Sequence, residues 1–139
     1  MSMLQSSSLL RSALGIDAAA CAATGLLLAV AAGPLAGPLG FPAGFLRGTG
    51  LGLLPFAALL AWLAGRETLP RLAVPAVIGL NLLWIAGSIA ILLAGWFQPS
   101  GLGIAFVLAQ AGAVAVITEL EVVGLKRATT HGRPAELLL

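Results

Sequence analysis

The sequence predicts an all-α membrane protein, an up-down-up-down bundle of four transmembrane helices. Three observations carry that expectation. Of 139 residues, 60% are hydrophobic and 9% are charged, against roughly a quarter charged in an ordinary soluble domain. Four mostly apolar stretches each reach the roughly 20 residues that cross a bilayer core about 30 Å thick. The segments between them are short, which places consecutive helices antiparallel. Seven Lys and Arg with five Asp and Glu are too few to clothe a water-exposed exterior. A soluble enzyme and a disordered chain are excluded, and the scattered cations behind the net charge of +2 form no patch for nucleic acid.

The elements follow in order. Residues 1–12 form an N-terminal segment, 13–125 the transmembrane domain and 126–139 a polar tail. The first span, about 13–33, holds AAACAATGLLLAVAAG. Its length and Asp17 favour a retained helix over a cleaved leader. Gly33 to Gly40 then carries Pro34 and Pro38, and Pro42 and Gly44 follow, so a helix stop and an apolar loop are expected there. The second span, about 48–65, lies between Arg47 and Arg66 and would rise about 27 Å. A polar turn, Arg66 to Arg71, leads to the third span, about 72–96. Pro99 and Ser100 then separate it from the fourth, about 102–124, with Ser100 placed to cap it. Helices are required, because an open strand would leave backbone groups unpaired in hydrocarbon. Pro55 and Pro75 inside the second and third spans read as structural kinks.

Orientation follows from Lys and Arg in the short loops. With the N-terminus inside, Arg11, Arg66, Arg71, Lys126, Arg127 and Arg133 gather on the inner face and only Arg47 on the outer. Both termini are therefore expected in the cytoplasm.

Polar groups inside a membrane are costly, so the few present are the candidate functional residues. Helical spacing puts Asp17, Cys21 and Thr24 on one face of the first span, and Asn81, Trp84 and Ser88 on one face of the third. Gln110, Ile117 and Glu121 share a sector of the fourth. The expected arrangement is an amide pair, Asn81 with Gln110, at mid-depth. Asp17, Glu119 and Glu121 form an acidic cluster nearer the inner face, within reach of Arg11, Arg71, Lys126 and Arg127. Such a cluster is either a proton or cation site or a set of acids anchoring helix ends. Trp84 reads as packing. Gly48 with Gly52, and the alanine stripes Ala86, Ala90, Ala94 and Ala105, Ala109, Ala113, read as small-residue faces for close helix approach.

Covalent catalysis finds no arrangement here. His131, the single histidine, falls in the tail. One Cys and one His build no protein-only metal site, and no cofactor motif is present.

The stretches LLRSALGIDAAACAATG, LRGTGLGLLPFAALLAWLAGR, NLLWIAGSIAILLAGW and FVLAQAGAVAVITELEVVGLKR resemble those of small, uncharacterised four-helix proteins of the bacterial inner membrane. Size and span number are similar to the DoxX-like proteins. The resemblance implies a multi-pass protein of the inner (plasma) membrane. The expected function is non-enzymatic: an accessory or structural subunit, partnered by the lipid bilayer, by other membrane subunits or by copies of itself. The alternative is a small proton-coupled transporter or channel using Asp17 with Glu119 or Glu121.

Overall fold

The computed structural model describes residues 3–130 and 133–134. His131, Gly132 and residues 135–139 of the expected tail lie outside the described residues. Four helices, α1 (Ser8–Leu39), α2 (Ala43–Ala64), α3 (Ala73–Ala94) and α4 (Gly101–Arg127), are each long and apolar enough to cross a membrane. They pack as a bundle in the lateral order α2, α1, α4, α3. α1 is the spine, flanked by α2 and α4, and α3 rests on α4.

α1 corrects the expected loop at residues 33–40. The helix runs through Gly33, Pro34 and Pro38 to Leu39 and bends instead of stopping, with Ala31 at φ −103°, ψ 17°. The Pro34 ring crowds the carbonyl four residues earlier and has no N–H to donate, which displaces the turn before it without unwinding the turn after it. Gly40, at φ 76°, ends the helix and donates its N–H to the Ala36 carbonyl, a left-handed cap that glycine adopts without a Cβ clash. α2 consequently begins at Ala43, and Arg47 lies inside it. Pro75 falls in the first turn of α3, where a missing N–H costs nothing.

Glycines set the closest helix approaches. A Cβ on Gly50 would stand 2.6 Å from the Gly25 carbonyl oxygen, and one on Gly124 would stand 2.6 Å from the Leu10 Cα. Gly25 with Gly50 thus brings α1 against α2, and Gly124 admits the start of α1 to the end of α4. The expected pair Gly48 and Gly52 plays no such part, since a Cβ on either meets nothing within 4 Å. Ala86, Ala90 and Ala94 are exposed on the outside of α3.

At one end of the bundle the chain forms a small antiparallel sheet that the hydropathy pattern did not announce. β1 (Met3–Gln5), β2 (Thr68–Pro70), β3 (Thr129–Thr130) and β4 (Arg133–Pro134) align in the order β2-β1-β3-β4. It buries Leu4 and Leu69 among Leu10, Leu60, Val74 and Leu125. Both ends of the described chain and the α2–α3 connection therefore share one end of the bundle. Ser7 fastens α1 there: its Oγ accepts the Leu10 N–H at 3.1 Å and donates to the Gly124 carbonyl at 2.7 Å. At the other end Ser100 caps α4, accepting from the Gly103 N–H at 3.0 Å, and Phe97 lies tilted against Phe45 and edge-on to Phe41 with ring centroids 4.6 and 5.7 Å apart.

Candidate functional site

α2 and α3 come together near their ends. At the sheet end, Leu60 and Leu63 share one apolar cluster with Val74 and Val77. At the opposite end, Phe45 meets Phe97, just beyond α3. Between these closures the helices stand apart and leave a cavity of about 610 Å³ lined by all four. That volume suits a small organic ligand, for which pockets span roughly 300–1,000 Å³. Leu80 and Leu83 of α3 form part of its rim and are 50% and 68% exposed. The mouth opens sideways, where acyl chains would lie. Gly48 and Gly52 of α2 and Gly87 of α3 line the cavity, and with no side chains they leave it wide.

Polar groups converge on its wall in two sets, the first of them backed by Glu121, which lies behind the lining residues. In the first, the Asn81 amide nitrogen donates to Asp17 Oδ2 at 2.9 Å and to Glu121 Oε1 at 2.8 Å. Asp17 also receives the Cys21 thiol at 3.5 Å, one turn along α1. Asp17, Asn81 and Glu121 are 1%, 3% and 0% exposed. Glu121 Oε2 is buried and meets no amide or hydroxyl donor, and the Glu121 carboxyl stands beside that of Asp17. In the second set, Trp84 Nε1 donates to Gln110 Oε1 at 2.7 Å, and Gln110 Nε2 donates to Ser88 Oγ and the Val107 carbonyl, both at 3.0 Å. The Ser88 hydroxyl donates back to the Trp84 carbonyl at 2.8 Å.

Three expectations change. Asn81 and Gln110 do not pair. α3 and α4 run antiparallel, so stepping up α3 from Asn81 to Ser88 means stepping back along α4 from Glu121 to Gln110, and each amide meets a different partner. Glu119 leaves the acidic cluster. It is exposed on α4, since two residues along a helix is more than half a turn. The cations do not reach the carboxyl groups either. Arg11 donates to the Ala64 carbonyl at 3.3 Å, Arg66 lies over the Trp62 ring at 4.6 Å, and among the described residues no ion pair forms at Asp17 or Glu121.

Sequence reasoning also passed over contributors. Trp84 is a hydrogen-bond donor rather than packing alone, a role signalled by its place between Asn81 and Ser88 on one face. Thr49 brings a hydroxyl to the cavity from α2, and no periodic polar pattern on that helix marked it. No group of three or more His, Cys, Asp or Glu able to hold a metal ion occurs among the described residues.

Comparison with protein-family models, curated proteins and solved structures gives no match.

Proposed function

We propose that this is an integral membrane binding protein, a receptor or carrier for a molecule dissolved in the bilayer, which enters sideways between α2 and α3. The cavity carries this reading: it is apolar over most of its wall, opens where lipid would stand, and gathers polar groups from α1, α3 and α4 at its back. A purely structural bundle gains nothing from holding two helices apart, because dispersion contacts across the gap are lost. The reading involves no catalysis and no cofactor.

Arg11, Arg66, Arg71, Lys126 and Arg127 gather toward the sheet end, and Arg47 lies toward the other. That asymmetry supports an inner-membrane protein with the sheet and both termini in the cytoplasm. Proton coupling, in this reading, belongs to Asp17 with Glu121, not Glu119. Association with a further membrane subunit or a second copy is a second reading, favoured by the exposed alanines of α3.

The test is native mass spectrometry of the protein released from its own membrane. The wild type should retain a non-protein mass that Gly87→Leu, which fills the cavity, does not. Bare chains from both, or the same adduct on both, would refute the binding reading.

A further inference from the structure

We infer that the cavity's ligand is an amphiphile whose head group donates hydrogen bonds and carries no negative charge. The inference rests on the reading of the cavity as a ligand site and names the chemistry that site accepts.

The side-chain N–H donors on the cavity wall are committed within the protein. Asn81 gives both amide hydrogens to Asp17 and Glu121. Gln110 gives both to Ser88 and Val107, and Trp84 gives its one to Gln110. The Ser88 hydroxyl and the Cys21 thiol also donate inward. What remains is the acceptor capacity of Asp17 and Asn81, beside two hydroxyls that can act either way. A carboxylate has about four lone-pair sites, and Asp17 turns one to Asn81, one to the long Cys21 contact and a further one to the neighbouring Glu121 carboxyl. Asn81 Oδ1 takes part in none of these bonds. The hydroxyls of Thr24 and Thr49, which donate or accept, are the other polar groups on the wall.

Charge points the same way. Asp17 is the one carboxyl group among the residues lining the cavity, and no Lys, Arg or His is among them. In a low dielectric an uncompensated negative site attracts a cation or a donor and repels an anion. An alkylamine or a long-chain alcohol meets these demands, with its chain along Leu53, Phe56 and Leu80 toward the mouth. A fatty acid would set a second negative charge beside Asp17 and is disfavoured.

Trp84 supplies the assay. Replacing the other two tryptophans, as Trp62→Phe and Trp96→Phe, leaves one emitter, on the cavity wall. Bromododecylamine, bromododecanol and bromododecanoate are then titrated against its fluorescence in mild detergent, at a pH where the acid is ionised. The amine and the alcohol should quench saturably, and the carboxylate should need about ten-fold more, the ratio that 1.4 kcal/mol produces. Asp17→Asn should bring the amine's midpoint to that of the alcohol. Equal midpoints for the three heads, or a carboxylate that binds most tightly, would overturn the head-group assignment and leave the cavity reading standing. Absence of saturable quenching by all three would overturn both. The head comparison uses the unaltered cavity, so it decides the matter even where Asp17→Asn fails to fold.

Discussion

The Asn81 amide nitrogen lies 2.9 Å from a carboxylate oxygen of Asp17, a bond that reaches from α3 to α1. The same nitrogen serves Glu121 on α4, so one side chain ties three helices at the back of the cavity.

Asn81→Leu tests that tie. It strips the amide donor from two buried carboxyl groups, and each unsatisfied buried group costs about 1–3 kcal/mol. The denaturation midpoint in detergent should fall by far more than for Ser88→Ala, which leaves Gln110 its Trp84 partner. Equal losses from the two substitutions would argue against Asn81 as the joint.

The two acids of α4 should behave differently. Glu119 is exposed and Glu121 fully buried. Glu119→Ala should stay within about 0.5 kcal/mol of the wild type, whereas Glu121→Ala removes an acceptor of Asn81 and opens a void. Chemical unfolding of the pair checks this, and a larger loss at Glu119 would contradict the placement.

Gly50 and Gly52 sit two residues apart on α2 with opposite expectations. A Cβ at Gly50 would stand 2.6 Å from backbone atoms of Ala29 and Gly25, while one at Gly52 meets nothing. Gly50→Ala should destabilise by about 1–3 kcal/mol, the usual cost of overpacking. Gly52→Ala should be neutral or slightly stabilising. Thermal unfolding of both variants reads the contrast, and similar midpoints would mean that α1 and α2 do not cross there.

Leu4 reports on the terminal sheet. It is 1% exposed and packs in the cluster of Leu10, Leu60 and Leu69. Leu4→Ala should cost about 2–5 kcal/mol, as for other buried leucines. A silent substitution would show that the sheet adds little to the bundle.

Much of this architecture was legible in the sequence. Apolar length gave the four helices, and 3.6-residue periodicity put Asp17 with Cys21 and Asn81 with Ser88 on shared faces. Two things were not legible, for physical reasons. Proline chemistry marks a place where a helix is weakened, but packing decides whether it breaks or bends, and at Pro34 the helix bends. Partner choice among polar residues depends on the axial register of neighbouring helices. Spacing along one chain segment does not contain that register, which is why Asn81 meets Asp17 and Glu121 instead of Gln110. The cavity was hidden for a related reason. Gly48 and Gly52 look like a close-packing pair, and only the lateral order α2, α1, α4, α3 reveals that they, with Gly87, face open space.

The central claim is that a bilayer-dissolved molecule occupies the space between α2 and α3. Photolabelling tests it most directly: an alkylamine bearing a diazirine is added to membranes holding the protein, illuminated, and its adducts are mapped by peptide mass. Adducts concentrated on Thr49, Phe56, Leu80 and Trp84, and lost in Gly87→Leu, are the predicted result. Adducts spread over outward-facing positions such as Val30, Leu93 and Val116, unchanged by that substitution, would contradict it.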